Sequence, residues 1–247
     1  MKTAETKVLA PSVKKMTTKT RPETIKSMFG EIAPKYDAAN AILSFGLHKF
    51  WNRRLAKSAD KNNPEILLDL CAGTGEIAYL WLKRQKTLKT AILLDFCPEM
   101  LDIAATRAPK NHELSFIEGD AQNLPIPDNS VDAITIAYGI RNVSEPKLCF
   151  QEVFRTLKPN GSFSILELTE PNHSWLRWGH TIYLNKLLPF LGGIITRKPQ
   201  AYRYLSSSIQ AFVRPEVLTE HLNQIGFKNI KAEPLSGGIA HLITCNK

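Results

Sequence analysis

Apolar positions along the chain follow two rhythms that alternate through its central part. Residues 66–70, 91–95, 114–117, 131–137 and 162–168 are short, continuously apolar runs, the character of strands buried on both faces of a parallel sheet. Between them, residues 76–83, 98–107 and 145–157 place apolar side chains at helical spacing. Strand and helix alternate at the spacing of βαβ units, which predicts a doubly wound α/β domain. The turn Lys158-Pro159-Asn160-Gly161 is expected to close the last of these helices before its strand.

The flanks depart from that rhythm. Residues 1–21 are polar and lack periodicity, and read as a mobile arm. Residues 22–60 form a broken helical tract, with Ile25, Met28, Phe29 and Ile32 at helical spacing before Pro34, and Trp51 and Leu55 after Gly46. At Pro171 the alternation stops for about 45 residues. Residues 171–215 read as inserted helices on one face of the sheet. A helix over 217–225, stopped by Gly226, and strands near 227–232 and 240–245 then complete the chain. The expected architecture is one domain over 22–247, with a mostly parallel seven-stranded sheet, N-terminal helices and a helical insertion or lid before the last two strands.

At 247 residues the chain is long enough to bury a core without staples. Its four cysteines, Cys71, Cys97, Cys149 and Cys245, are 26, 52 and 96 residues apart, which fits no metal-ligand pattern and no redox pair. They read as buried thiols in a reducing cytosol, with no metal expected. The first residues lack the apolar core of a secretory signal, so export is not expected. The longest apolar stretch, 187–195, falls short of the roughly 18 residues that would cross a bilayer.

The net charge of +9 would ordinarily point to nucleic acid or an anionic membrane, but its location changes that picture. Residues 1–26 carry seven Lys/Arg against Glu5 and Glu23, a net +5. Residues 171–215 carry six Lys/Arg, seven aromatic residues and no Asp or Glu. The remaining 176 residues sum to −2. Basic residues interleaved with Trp and Tyr suit an anionic interface; the same segment would also serve as a lid with merely solvated charges.

The strongest chemical signal is Asp69-Leu70-Cys71-Ala72-Gly73-Thr74-Gly75-Glu76 at the first strand-to-helix turn. Glycines there let the backbone approach a ligand, and the helix start offers amide donors. Asp95 ends the second strand twenty residues after Gly75, placed to accept the hydroxyls of an adenosine ribose. Gly73-x-Gly75-x-x-Ala78 also satisfies a dinucleotide fingerprint, so on this feature alone a nicotinamide dehydrogenase stays open. Gly119-Asp120-Ala121 ends the third strand. With Asp69 and Asp95, this rings one sheet edge with carboxylates, which suits a positively charged adenosine better than a pyrophosphate.

From these residues, the stretch 66–168 resembles the class I methyltransferases that use S-adenosylmethionine. Further segments narrow the resemblance: 29–40, with Tyr36, Asp37 and Asn40; 43–48 and Trp51; Tyr138-Gly139-Ile140-Arg141-Asn142-Val143; 202–209; and Gly237-Gly238-Ile239-Ala240. Together they are similar to the C-methyltransferase family of menaquinone and ubiquinone biosynthesis, from about residue 25 onward. The resemblance implies methyl transfer from S-adenosylmethionine to a ring carbon of a polyprenylated quinol, with demethylmenaquinol going to menaquinol and a benzoquinol as the alternative. It implies cofactor contacts at Thr74, Asp95, Asp120 and Ala121, beside Asp69, Gly73 and Gly75. Ala137 stands where the family often has Ser, and Cys71 where Gly or Ala is common.

Carbon methylation needs an electron-rich ring, made by removing a quinol hydroxyl proton, and in-line attack on the methyl group. Arg141 is the candidate to stabilise the phenolate, being permanently cationic and placed after the fourth strand; the competing reading is a salt-bridged structural arginine. Asn142 is a candidate to orient the ring oxygen and Tyr36 to relay its proton; helix packing or capping is the alternative for both. His173 is a candidate base, but no acid/base pair is visible and the base stays unassigned. Expected partners are the quinol, an anionic membrane touched peripherally from the cytoplasm, and a second copy in a homodimer. Nucleic acid is not expected. An RNA methyltransferase and a non-catalytic quinone-binding protein are the rival readings.

Overall fold

The computed structural model describes residues 22–58 and 63–247. The basic arm expected over 1–21 and the last two residues of the 22–60 tract lie outside the described residues. The chain opens with α1 (Pro22–Ile32), a 3-10 turn (Ala33–Lys35), α2 (Tyr36–Leu43) and α3 (Leu47–Ser58). Then come β1 (Ile66–Leu70), α4 (Glu76–Arg84), β2 (Thr90–Asp95), α5 (Pro98–Thr106), β3 (Glu113–Glu118), β4 (Val131–Ala137), α6 (Pro146–Thr156) and β5 (Leu157–Leu168). The insertion is α7 (Ser174–Ile182), a π turn (Tyr183–Leu187), α8 (Leu188–Thr196) and α9 (Pro199–Ala211). The chain closes with α10 (Pro215–Ile225), β6 (Lys228–Leu235) and β7 (Ala240–Asn246).

The strands form one seven-stranded sheet in the order β3-β2-β1-β4-β5-β7-β6. The β1 to β5 pairings are parallel, and β7 runs antiparallel between β5 and β6. The mostly parallel, doubly wound sheet expected from the apolar runs is therefore present. Its strand order reverses between β1 and β4, and an open α/β sheet holds its ligand in the crevice at such a reversal. Leu67, Leu68 and Leu70 on β1 are fully buried because helices cover both faces. On one face, Phe150, Val153, Phe163, Leu218 and Leu222 join α6 and α10 to the sheet; on the other, Trp51, Leu55, Trp81 and Leu101 join α3, α4 and α5 to it.

Two expectations are corrected. Residues 158–161 do not separate helix from strand. Leu157 pairs with Val131 and Ser162 with Ala133, so β5 starts at Leu157 and the four residues between loop out as a bulge, with Asn160 at φ 64°. The insertion does not lie on a sheet face. Leu184, Leu188, Tyr202 and Ile209 pack instead with Ile32, Ala39 and Leu43 of α1 and α2, forming a small core of their own. The N-terminal helices were apolar on one side and needed cover, and the insertion supplies it.

Candidate active site

The β1–α4 turn is bent by three left-handed residues: Cys71 (φ 51°), Gly73 (φ 54°) and Gly75 (φ 81°). A side chain at Gly75 would also strike the Tyr79 ring, 2.7 Å from its Cβ position, while Gly73 faces open space. Asp95 straps this turn to the next one. Its two carboxylate oxygens accept the Gly73 N–H at 2.8 Å and the Cys97 N–H at 2.9 Å. Burial raises its pKa, and these N–H bonds oppose the rise. The Gly119 N–H donates to the Asp95 carbonyl at 3.0 Å, which places Asp120 beside it at the sheet edge. Asp120 is exposed and accepts the Gln122 N–H at 2.9 Å, whereas the Ala121 side chain belongs to the core, leaving its backbone for a ligand.

Inward from this turn lies a chamber of about 710 Å³. Its floor includes Asp69, Gly73 and Thr74, its near wall Tyr36, His48 and Trp51 from the N-terminal helices, and its roof Trp175, Trp178 and Tyr202 from the insertion. Asp69 is the polar anchor at the floor. It is 1 % exposed; Oδ1 accepts the Thr135 hydroxyl at 2.6 Å, and Oδ2 has no hydrogen-bond partner. Burial pushes its pKa up to about 7, against the Thr135 hydroxyl and the Ala78 backbone N–H at the start of α4, which both favour the ionised form. A buried carboxylate at the edge of a chamber can receive a cationic donor.

The sequence-derived site residues do not all meet. Asp69, Gly73, Thr74, Tyr36 and Arg141 line the chamber. Asp95, Asp120 and Ala121 sit along the sheet edge next to it. The Thr74 hydroxyl donates to Asp37 Oδ1 on α2 at 2.7 Å, and Asp37 is itself paired with Arg107. Thr74 thus ties the turn to the N-terminal helices. The Tyr36 ring packs edge-on to Phe29, and burial raises its pKa against the opposing influence of Asn40 and Arg141.

Arg141 is not a free cation. Its guanidinium bonds Glu167 Oε1 at 2.5 Å and the Tyr138 carbonyl; the Arg141 and Glu167 side chains are 4 % and 2 % exposed. Burial works against its charge, but Glu167 and its other neighbours hold the pKa raised; both bonds are made by Nη1, and the buried Nε has no partner. Asn142 is not on the chamber wall: its Oδ1 accepts the Tyr204 hydroxyl at 2.9 Å, tying the post-β4 turn to α9. His173 is exposed at the start of α7, away from the chamber. For Arg141 and Asn142 the cause is the same: a partner distant in sequence engages the side chain.

Some wall residues carry no sequence signal for their roles. Asn52 on α3 is buried and accepts the Tyr138 hydroxyl at 2.8 Å, with Tyr138 held left-handed at φ 57°. Gly139 follows because a Cβ there would lie 2.4 Å from that of Cys71. The His48 Nδ1 lies 2.7 Å from Ser44 Oγ, and Nε2 lies 3.9 Å from Glu76 Oε1. The chamber opens through an apolar rim. Phe45, Trp175 and Trp178 line it yet are 73, 73 and 72 % exposed. Phe45 also stacks toward Tyr183 at 6.1 Å, joining the α2–α3 corner to the insertion. Helix α7 buries none of its residues.

The chain's likeness to known proteins agrees with this layout. The family model described as "ubiE/COQ5 methyltransferase family" matches residues 15–247. The chain belongs to the ubiE/COQ5 methyltransferase family. Within it, the chain is 43 % identical over 231 residues to a demethylmenaquinone methyltransferase of Protochlamydia amoebophila, covering 92 % of this chain and 96 % of that one. It is 40 % identical to the Thermus thermophilus protein of the same name, covering 86 % and 96 %. Among solved structures, a possible histamine N-methyltransferase from Thermotoga maritima, described as SAM-dependent, superposes with a TM-score of 0.62 at 18 % identity, covering 90 % of this chain and 99 % of that one. That likeness establishes the class I methyltransferase fold for this ubiE/COQ5 family member.

Proposed function

We propose that the chain transfers a methyl group from S-adenosylmethionine to a ring carbon of a polyprenylated quinol, converting demethylmenaquinol to menaquinol. The observation that carries this reading is one continuous chamber with a buried, half-satisfied carboxylate at the sheet end and an exposed aromatic rim at the other. A charged donor and a lipid-tailed acceptor would enter such a chamber from opposite ends.

The residues fit S-adenosylmethionine. Asp69 Oδ2 is a buried acceptor for its ammonium group, Gly73 leaves open space beside it, and Asp95 and Asp120 offer carboxylates where ribose hydroxyls would donate. The Ala121 backbone completes that edge. When bound, the cofactor supplies a methyl group activated on a sulfonium. The protein's part is to hold the ring in line with it, exclude water and manage one proton. The apolar walls from α1, α2 and α8 grip the ring and the first part of its tail. Tyr36 and Arg141 face the same space. Arg141 contributes as half of a neutral ion pair made through Nη1, with the rest of its guanidinium edge left to meet a ring oxygen.

No helix among the described residues is long and apolar enough to cross a membrane. We place the protein at the cytoplasmic surface of an anionic membrane. Trp175, Trp178 and Phe190 project from a segment with six Lys/Arg and no acidic residue, so apolar insertion and charge attraction act together. The quinol then passes from bilayer to chamber without its tail crossing water.

The test supplies the protein with deuteromethyl S-adenosylmethionine and either demethylmenaquinol or the corresponding benzoquinol, each in phosphatidylglycerol-containing vesicles, and reads the products by mass spectrometry. Label on the naphthoquinol ring carbon is the expected result. Transfer to neither quinol would overturn the reading, and transfer to the benzoquinol alone would move the substrate assignment. Flotation with anionic vesicles tests the membrane contact; a protein that stays unbound and sediments as a dimer would assign the aromatic face to a second copy.

A further inference from the structure

Carbon methylation of a quinol releases one proton per turnover, and the chamber that would contain the reaction is walled mainly by apolar side chains. Few groups on those walls can take a proton. Tyr36 and Tyr138 are phenols whose pKa values burial raises, and Arg141 is held cationic by Glu167. Asp69 lies at the floor, engaged by Thr135 and placed for the cofactor. Two imidazoles, His48 and His180, and the carboxylate of Glu76 remain on the lining.

Their surroundings differ. His180 belongs to an inserted segment with no acidic residue to receive a proton from it. His48 sits between two compartments. It lines the chamber and also a separate surface cleft of about 490 Å³, and Glu76 lines both as well. The His48 side chain is 9 % exposed and that of Glu76 44 %, so the pair leads from a dry interior to solvent. Nε2 lies 3.9 Å from Glu76 Oε1, while Ser44 Oγ at 2.7 Å fixes Nδ1. With the Nδ1 proton donated to Ser44, the Nε2 lone pair is free to accept.

Resting on the quinol reading above, we propose that His48 is the proton acceptor of the reaction and that Glu76 is the positioning residue through which the proton leaves to the outer cleft. The quinol O–H bond breaks, its proton going to Nε2 and its electron pair into the ring. The ring carbon bonds the methyl group as the sulfur–methyl bond breaks, the bonding pair staying on sulfur. The C–H proton of that carbon passes to the ring oxygen, restoring the aromatic ring, and the proton held on Nε2 leaves by way of Glu76, so one proton net passes outward. Burial lowers the His48 pKa from its ordinary value, which favours the neutral ring. Glu76 from α4 and Asp37 from α2 raise it, and Lys49 on α3 lowers it, the burial effect being largest.

The experiment compares wild type, H48N, E76Q, H180N and H48A with and without added imidazole for methylation of demethylmenaquinol from pH 5 to 9, with S-adenosylmethionine affinity measured by calorimetry. Wild type is expected to lose kcat on an acidic limb as His48 takes up a proton. H48N is expected to lose about 10²–10³-fold in kcat, to lose that limb, and to keep its cofactor affinity. E76Q, which leaves the imidazole in place, is expected to move the limb to lower pH, because removing the carboxylate charge lowers the His48 pKa. A merely structural His48 would give neither the E76Q displacement nor a rise in the rate of H48A on adding imidazole. Full activity with an unchanged profile in H48N, or loss of the acidic limb in H180N instead, would overturn the proposal. If wild type itself methylates no quinol, the substrate reading fails; if wild type is active and H48N matches it, only the base assignment fails.

Discussion

At the sheet end the chamber wall is polar, with loops and carboxylates fixed by hydrogen bonds; at the helical end it is side chain, held by apolar contact. Gly73, Asp95 and Cys97 lock two loops with bonds of 2.8 and 2.9 Å. The roof over the other end is a separate small core of Leu43, Leu184, Leu188 and Tyr202, capped by tryptophans that face outward. A ligand of fixed shape needs fixed donors, whereas a long isoprenoid tail needs area and little direction. The Arg141–Glu167 pair stands where the two ends meet, since Arg141 follows β4 and Glu167 ends β5.

The largest effect is expected at that junction. Glu167→Gln leaves the buried Arg141 charge unpaired and should cost about 3–5 kcal/mol of stability by chemical denaturation. A loss below about 1 kcal/mol would mean that the junction is not a buried ion pair in solution. Next, Asp69→Asn should weaken S-adenosylmethionine binding by about 30–100-fold through the lost charge-assisted bond, with quinol KM little changed. A change in quinol KM alone would break the division of labour between the two ends. Gly75→Ala, with its positive φ and the Tyr79 contact, should destabilise the protein by about 1–3 kcal/mol, read as a fall in Tm. At the helical end, Trp175→Ser with Trp178→Ser should lower vesicle affinity and raise quinol KM by about tenfold, from the loss of partial apolar burial. Cofactor affinity should be unchanged.

The smallest effect is a dependence on pH. The Asp69 pKa is raised to about 7 in the folded protein. Its contribution to unliganded stability is therefore complete below about pH 4 and is lost as pH rises to about 7. Binding of a cationic amine favours the ionised form, so cofactor affinity should rise about tenfold between pH 6 and pH 8. Calorimetry of wild type against Asp69→Asn checks this, because the variant should show no such rise.

The same division explains what could be read from the amino-acid order. The βα alternation, the glycine turn, Asp95 and the length of the insertion are local patterns, and all stand in the structure. What was not legible depends on partners far apart in the chain. Arg141 meets Glu167 across 26 residues, Asn142 meets Tyr204 across 62, and Thr74 meets Asp37 across 37. His48 was visible only as part of a motif; it acquires meaning when α3 lies against α4 and brings Glu76 near. The insertion was expected on a sheet face because periodicity reports an apolar side, not which neighbour it covers.

The central claim is that one chamber brings the cationic donor and the quinol ring together. A crystal structure of the protein with S-adenosylhomocysteine and a short-tailed demethylnaphthoquinol tests it most directly. The account predicts the amino group on Asp69 Oδ2, the ring between Tyr36, His48 and Arg141, and the tail leaving past Trp175 and Trp178. A ring bound outside this chamber, or an amino group with no contact to Asp69, would contradict it.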